Sequence, residues 1–424
     1  MAYVLAVGSI PFHKYPHKNF SEIAVDVLRN VQADVMDVSE NTTILDDIEE
    51  IFFGNCAMDR FGQSNIRGQV VLQAAVDQGI LPKGISITNL EAGCATGGVT
   101  FLQACRSIDS GSCQVALAIG VEKLIFPDDP KMLKSVPIFT SGIDQGERER
   151  WMSFYQQQAQ ENQLSFEPHP YRVIFLDIHA MQAQKMIEEQ VISKEHIAQT
   201  AAKNHNNGKA NPNAQYRFGA TSQSVLEDRP IVEPLTRSMC APVSDGGSAV
   251  ILCSQAYKEA LPMELQKRCV RVDTVVSSGG RYRDLHEEGV TQRAAQLCFQ
   301  RSKFDITDID IAEVHDATAF CELKAILDIG ISTKASMSQD VEQGRFLASG
   351  TLPINLSGGL ISKGHPLGAT GIGMVVELTK QLRGESEGIQ MDPLPNVALF
   401  HNAGGMIGFD EAVAVVGILE RVLS

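Results

Sequence analysis

The feature that most constrains this chain of 424 residues is the similarity between two of its segments. Residues 85–124 and residues 352–381 each pass from an apolar, strand-like run through a glycine-rich turn into an amphipathic helical pattern. Each strand-like run ends near an asparagine, Asn89 in the first segment and Asn355 in the second. A repeated strand–turn–helix unit predicts an α/β fold made of two similar halves, and we place their division near residue 270.

A long polar stretch distinguishes the first half from the second. It is rich in Pro, Gln and Asn, and it contains helical patterns as well as turn-forming sequence such as KNHNNGKANPNAQ. A stretch of this length is uncommon as a plain loop in a compact domain. We therefore predict an N-terminal half over 1–270 that includes an inserted loop domain at about 125–240, and a C-terminal half over 271–424.

Charge and composition argue against several classes of function. The net charge of -15 disfavours general binding to nucleic acids or to anionic membrane surfaces, because polyanions are repelled on average. The sequence contains no run of about 18 apolar residues, so we predict no membrane span. Nine cysteines are scattered without a CxxC pair, no HExxH motif occurs, and the first residues resemble a core strand more than a signal peptide. We expect free thiols, no metal site and a cytoplasmic location.

One cysteine stands where a strand-like run meets a helical pattern, in NLEAGCATGGVTFLQACRSI. The positive end of a helix dipole lowers the pKa of a thiol placed there, and the small residues around Cys94 leave room for a substrate. Cys94 is therefore a candidate nucleophile. A buried structural cysteine is the competing interpretation of this motif taken alone.

A histidine lies in a second glycine-rich turn, SKGHPLGATG, directly before a helical pattern. Pro366 is compatible with the first turn of a helix, and the surrounding glycines keep the space around His365 open. Such a position suits a base that takes the proton of a thiol. A turn histidine without a chemical role is the alternative.

Two further histidines follow predicted strands. His315 comes at the carboxyl end of DIDIAEV, where α/β sheets bind ligands, and it could donate a hydrogen bond to a developing oxyanion. Asp316 is expected to cap the helix that follows. His401 comes at the end of VALF, before a glycine turn and a second strand AVAVVGIL. A hairpin with an incidental histidine remains the alternative for His401.

Together, these four motifs resemble those of the thiolase superfamily, and most closely those of the sterol-carrier-protein-type thiolases. NLEAGCATGG resembles the nucleophile motif, HDATAF the His-Asp form of the second motif, GHPLGATG the third, and HNAGG the His-Asn form of the fourth. Residues 234–252, PLTRSMCAPVSDGGSAVIL, resemble the segment that closes the first half. The resemblance covers nearly the whole chain. It implies a five-layered αβαβα fold of two βαβαβαββ halves plus a loop domain, assembled as a homodimer or tetramer.

The resemblance also implies a chemistry, that of an acyl-CoA C-acyltransferase of the acetyl-CoA acetyltransferase type, in lipid metabolism. Cys94 would take an acyl group from a CoA thioester, and His365 would accept the thiol proton. His315 would stabilise the thioester oxygen of the second substrate, and backbone N–H groups near Cys94 would form the other oxyanion hole. Acyl-CoA and CoA would be the partners, as substrates rather than tightly bound cofactors.

In the family, a base also removes a carbon-bound proton from the second acyl-CoA, so that a carbon–carbon bond can form. The chain departs from the family pattern at this base. Relatives carry a second cysteine in the fourth motif or within the His-Asp motif, and these places hold His401 and Ala317 here. We therefore expect His401 or another group to act as this base. Cys321, one helical turn beyond Ala317, is interpreted as a core cysteine, and a role as this base is the alternative. Ala241 stands where many relatives place a serine near the CoA.

Three functions remain open at this stage. The first is a thiolase that makes or cleaves 3-oxoacyl-CoA. The second is a thiolase-like C-acyltransferase whose activated acceptor is not a CoA thioester and needs no cysteine base, working with partner subunits. The third is a scaffold that binds acyl groups without catalysis.

Overall fold

Strands and helices alternate along the chain, which the structure, a computed structural model, describes over residues 1–36, 44–129, 133–285 and 287–422. The described strands are β1 (Ala2–Ser9), β2 (Glu50–Gly54), β3 (Ser86–Leu90), β4 (Val115–Glu122), β5 (Pro230–Val232), β6 (Leu235–Thr236), β7 (Gly246–Ser254), β8 (Val270–Gly279), β9 (Ile311–Val314), β10 (Val397–Gly404) and β11 (Val413–Arg421). The described α-helices are α1 (Phe20–Met36), α2 (Arg67–Asp77), α3 (Thr96–Ser110), α4 (Val136–Thr140), α5 (Arg148–Glu161), α6 (Ile174–Glu188), α7 (Lys194–Ala210), α8 (Ser222–Leu226), α9 (Gln255–Ala260), α10 (Met263–Arg268), α11 (Val290–Arg301), α12 (Ala319–Ile329), α13 (Met337–Glu342), α14 (Gly359–Lys363) and α15 (Leu367–Arg383). Short 3₁₀ helices lie at Ile44–Asp47, Met58–Phe61, Gly93–Ala95, Arg237–Met239 and Ile306–Asp308.

The strand order of the main sheet shows the duplication directly. The order is β3-β2-β4-β7-β1-β8-β11-β10-β9, and its first five strands belong to the first half of the chain. Counted along the chain within this sheet alone, the first half places its third, second, fourth, fifth and first strands side by side. The fifth of these, β7, is antiparallel to its two neighbours, β4 and β1. The second half repeats this order, and its third strand is reduced to one parallel bridge between Ile354 and Ala312. The two halves that the sequence predicts are thereby confirmed.

Helices cover and separate the two halves of the sheet. α3 and α15 pack against each other and against strands of both halves, so they form a middle layer. α1 and α2 pack on the first half from outside, and α11 and α12 pack on the second. Phe101 of α3 contacts Phe400 of β10 edge to face, with ring centroids 5.6 Å apart. The five-layered αβαβα arrangement is confirmed.

A close crossing of α3 and α15 brings the cysteine motif and the GHPLGATG motif together. A Cβ on Gly97 would lie 2.7 Å from the backbone nitrogen of Gly371, and a Cβ on Gly371 would lie 2.3 Å from that of Gly98. Any side chain at these glycines would force the helices apart, since real Cβ atoms do not approach backbone this closely. The glycines of the two motifs thus set the distance between the turns that begin the two helices.

The segment between β4 and β7 carries α4 to α8 and the two-stranded sheet of β5 and β6. It packs on the second half of the chain, where the Tyr155 hydroxyl donates a hydrogen bond to the Gly408 carbonyl at 2.7 Å. Among the described helices, none combines the length and the apolar character that crossing a bilayer requires. The limits 1–270, 125–240 and 271–424 stay a prediction.

Candidate active site

Cys94 lies in the 3₁₀ turn that directly precedes α3. It is buried, with 8% of its surface exposed. The end of β10 packs on this turn, because a Cβ on Gly404 would lie 2.3 Å from the nitrogen of Ala95 and 2.5 Å from that of Cys94. Glycine is required at position 404 for this contact, so the fourth motif supports the Cys94 turn.

Three of the four predicted site residues converge on one point. The sulfur of Cys94 and one ring nitrogen from each of His315 and His365 lie within 4.8 Å of one another. The two imidazoles meet edge to face, with centroids 5.2 Å apart. Each residue comes from a different element: the turn before α3, the end of β9 and the turn before α15.

Hydrogen bonds fix the tautomer of His365. Its Nδ1 lies 2.9 Å from the Thr370 hydroxyl, and that hydroxyl donates its own proton to the Pro366 carbonyl at 3.0 Å. Nδ1 must therefore carry the ring proton, which leaves a lone pair on Nε2. Nε2 is buried and has no hydrogen-bond partner. Burial lowers the pKa of His365 to about 3, so the ring is a neutral acceptor.

His315 is held in the opposite tautomer by Asn402. The side-chain oxygen of Asn402 accepts from the Gly98 N–H at 2.9 Å, so its amide nitrogen must face His315. That nitrogen donates to Nδ1 of His315 at 3.2 Å and to the Cys94 carbonyl at 3.0 Å. The proton of His315 is therefore on Nε2, where it can be donated to an oxyanion. The pKa of His315 lies well below its ordinary value, mainly because the ring is buried and also because other histidines lie close to it.

His401 lies beside His315, but both of its ring nitrogens are engaged. Nδ1 accepts a long hydrogen bond, 3.5 Å, from the backbone N–H of His315, and Nε2 lies 2.9 Å from the Thr291 hydroxyl. Burial lowers the pKa of His401 to about 4. The residue lies inside β10, paired with Val416, whereas the sequence predicts it at the end of the strand.

The resting Cys94 side chain is a thiol. Burial raises its pKa to about 12, the hydrogen bond with its own backbone opposes this, and the charges of Glu122 and Glu91 raise it further. The expected lowering of this pKa by the helix dipole is therefore outweighed by desolvation. The pair of Cys94 and His365 is a neutral thiol beside a neutral imidazole, with an unused lone pair on the imidazole.

A cavity of about 40 Å³ is lined by Cys94, His315 and His401, and also by Cys321 and His179. Cys321 packs against the hydrophobic core, as the sequence predicts, and it also borders this cavity. Its sulfur lies 3.4 Å from Nδ1 of His179 and 3.2 Å from the Thr318 hydroxyl. His179 comes from α6 of the segment between β4 and β7, where no sequence motif marks it.

Asp316 anchors the end of β9 instead of capping α12, so the expected cap is wrong. The cap is Thr318, whose hydroxyl accepts from the Cys321 N–H at 3.3 Å. Asp316 accepts from the Leu360 N–H at 2.7 Å and from the Asn204 amide at 2.8 Å. These contacts tie the residue beside His315 to α7 and α14.

The sequence matches two domain families over most of its length. "Thiolase, N-terminal domain" matches residues 4–219, and "Thiolase C-terminal domain-like" matches residues 276–418. An acetyl-CoA acetyltransferase of Methanothermobacter thermautotrophicus is 30% identical over 88% of this chain and 89% of that protein. Benzoylsuccinyl-CoA thiolase subunit BbsB of Thauera aromatica is 27% identical over 95% of this chain and 94% of that protein. Sterol carrier protein 2 of Oryctolagus cuniculus is 29% identical over 78% of this chain and 59% of that protein.

A solved structure shares the fold. The dimeric peroxisomal thiolase of Saccharomyces cerevisiae superposes with a TM-score of 0.66, covering 99% of this chain and 97% of that chain. Its sequence is 17% identical, so the likeness concerns the fold alone.

Proposed function

The chain belongs to the thiolase family, and we propose that within this family it is an acyl-CoA C-acyltransferase that forms or cleaves 3-oxoacyl-CoA through an acyl-enzyme on Cys94. Membership confirms the resemblance that the four motifs carry. The observation that supports the proposed reaction is the convergence of Cys94, His315 and His365 with complementary tautomers. One imidazole offers a lone pair, and the other offers a proton.

Acylation uses the lone pair of His365. As a CoA thioester binds, Nε2 of His365 takes the proton of the Cys94 thiol, and the sulfur attacks the thioester carbonyl. The carbonyl oxygen becomes an oxyanion, which backbone N–H groups of the Cys94 turn stabilise. When the intermediate collapses, the C–S bond to CoA breaks, and the proton on His365 passes to the departing CoA sulfur. The ionisation of Cys94 is thus coupled to substrate attack and is absent from the resting site.

The carbon–carbon step uses the proton of His315. A base takes a proton from the carbon next to the carbonyl of a second acyl-CoA, and the enolate that forms attacks the acyl group on Cys94. Nε2 of His315 donates a hydrogen bond to the enolate oxygen. The new C–C bond forms as the C–S bond to Cys94 breaks, and the proton held by the base passes to the Cys94 thiolate. His401 supports this arrangement by accepting from the backbone of His315.

The remaining properties of the proposal follow family membership. We propose that CoA thioesters and free CoA are substrates rather than resident cofactors. We also propose a homodimer or tetramer, a cytoplasmic location, and the division into halves 1–270 and 271–424 with a loop domain at about 125–240. The yeast thiolase that shares the fold is itself dimeric.

An intact-mass measurement tests the proposed acyl-enzyme. The protein is incubated with acetyl-CoA, and we expect one acetyl group to be retained and mapped to Cys94. Cys94→Ala should carry none. Cys240→Ala, which removes a different free thiol, one that is partly exposed, should be acetylated like the unaltered protein. Absence of any adduct would instead support an acyl-binding scaffold.

A second candidate function rests on the absence of the family's second cysteine from the two motif positions that carry it in relatives. Neither Ala317 nor His401 supplies the cysteine that relatives use, so an acceptor that is already nucleophilic would need no such group. The relative from Thauera aromatica is named as one subunit of a thiolase, which is consistent with a partner-dependent variant. Full acetylation of Cys94 with no thiolysis of acetoacetyl-CoA would favour this candidate over a self-sufficient thiolase.

A further inference from the structure

We propose that Cys321 is the catalytic residue that removes the proton from the carbon of the second substrate, and that His179 is the positioning residue that receives the thiol proton of Cys321. The inference rests on the proposed function. It deepens that function by assigning the carbon–carbon step to two side chains outside the four motifs.

The histidines of the motifs are already committed to other partners. His365 keeps its lone pair for Cys94 and its proton for Thr370. His315 carries its proton on Nε2, so it acts as a donor. Nδ1 of His401 accepts from the backbone N–H of His315, and its Nε2 is hydrogen-bonded to the Thr291 hydroxyl. None of these three rings has a lone pair to spare for a carbon-bound proton.

Cys321 is directed at the cavity by its place in α12. It follows the cap residue Thr318 by three positions and lies one helical turn beyond Ala317. Ala317, which carries only a methyl group, and Cys321 both line the cavity at this point. The same cavity is lined by Cys94 and His315, so Cys321 faces the atoms that react in the proposed step.

The hydrogen bonds around Cys321 orient its thiol proton toward His179. The Thr318 hydroxyl oxygen accepts from the Cys321 N–H, so its proton is free to point at the Cys321 sulfur, 3.2 Å away. The thiol proton can then be donated to Nδ1 of His179 at 3.4 Å. His179 is buried against the same cavity, with 8% of its surface exposed. This is the thiol–imidazole arrangement that activates a sulfur as a base.

The proposed step consists of two coupled proton transfers, from the substrate carbon to Cys321 and from Cys321 to His179. The S–H bond of Cys321 breaks and its proton forms an N–H bond on His179, while the sulfur takes the proton from the substrate carbon. The electron pair of the broken C–H bond becomes the enolate, whose oxygen accepts from His315. The products are a neutral Cys321, a protonated His179 and the enolate. When the C–C bond has formed, the proton on His179 returns through Cys321 to the Cys94 thiolate, and the steps reverse in thiolysis. Burial raises the pKa of Cys321 to about 12 and lowers that of His179 to about 4, so the resting pair is neutral and the two transfers are concerted.

Deuterium exchange isolates this step from acylation. Unaltered protein, Cys321→Ala and the matched control Cys298→Ala, a buried thiol outside the cavity, are incubated with acetyl-CoA in deuterium oxide. We expect Cys321→Ala to form the acetyl adduct at Cys94 at the normal rate and to lose exchange of the acetyl methyl protons by about 100-fold or more. Cys298→Ala should retain both. Cys321→Ser serves as a second variant of nearly unchanged size, with the acetyl adduct as its check of folding.

His179→Gln tests the positioning role through pH. Without the imidazole, Cys321 must lose its proton to solvent, so the exchange rate should rise about tenfold per pH unit where the unaltered protein is flat. Normal exchange in Cys321→Ala, or loss of exchange in His401→Ala with Cys321 intact, would overturn the inference. Acetylated unaltered protein without any exchange would overturn it as well and favour a different acceptor. Absence of the acetyl adduct would refute the proposed function instead, so the two failures are distinguishable.

Discussion

The side-chain amide of Asn402 lies 3.2 Å from Nδ1 of His315, and this contact decides which nitrogen of His315 carries the proton. Asn402 cannot turn over, because its oxygen accepts from the Gly98 N–H at 2.9 Å. The N-terminal part of α3 therefore orients an amide of β10, and that amide orients the imidazole at the end of β9. The hydrogen-bond donor for the second substrate depends on all three elements.

Asn402→Asp should reverse this tautomer with little change in shape. A carboxylate cannot donate to Nδ1, so the proton of His315 moves there and Nε2 loses its ability to donate. We expect thiolysis of acetoacetyl-CoA to fall by about 100-fold or more, the range seen when an oxyanion donor is removed. Steady-state thiolysis measures this, and Asn396→Asp on the surface serves as a control. Unchanged thiolysis would show that His315 is not the donor.

His365→Ala should slow acetylation of Cys94 by about 100-fold or more, because the thiol loses its base. Thr370→Val should cost less, about tenfold, since it removes only the acceptor that holds the proton on Nδ1. Rapid-quench intact mass with acetyl-CoA gives both rates. Equal acetylation rates in His365→Ala and the unaltered protein would remove His365 from the mechanism.

The rate of acetylation should be flat from about pH 5 to about pH 9. His365 has a pKa of about 3 and Cys94 one of about 12, so neither changes its charge in this window. Below it the rate should fall as His365 becomes protonated and loses its lone pair. The measurement is kcat/KM for acetylation against pH. A rise centred near pH 6.5 would indicate a histidine with an ordinary pKa and would contradict the neutral pair.

Gly404→Ala should displace the Cys94 turn. The added Cβ would lie 2.3 Å from the nitrogen of Ala95, so β10 or the turn must move. We expect acetylation to fall at least tenfold and the free energy of unfolding to drop by about 2 kcal/mol. Gly279→Ala is the matched control, because a Cβ there meets no atom within 4 Å. Denaturant unfolding and intact mass measure the two effects, and equal behaviour of the two variants would contradict the packing described for this turn.

The sequence predicts those parts of the molecule that local patterns encode. The repeated strand–turn–helix unit carries the duplicated fold, and the Gly-flanked Cys94 and His365 mark the two turns that the crossing of α3 and α15 brings together. His315 and Asn402 are visible as polar residues after or within strands. What local patterns leave out is which nitrogen carries a proton, because each tautomer depends on residues far away in the chain.

Three features needed the tertiary structure. Cys321 and His179 are distant in sequence, and neither belongs to a motif, so only the packing of α6 against α12 reveals their contact. Asp316 accepts from the Leu360 N–H of α14 and not from the first N–H groups of α12, a choice that the local sequence does not express. The pKa of Cys94 depends on burial, which outweighs the helix dipole that the sequence suggests.

The central claim is that Cys94 accepts an acyl group from a CoA thioester, and intact mass after incubation with acetyl-CoA tests it most directly. We predict one added acetyl group, located at Cys94 by peptide mapping, absent from Cys94→Ala and formed about 100-fold or more slowly in His365→Ala. An unmodified mass, or an acetyl group on any other residue while Cys94 stays free, would contradict the account.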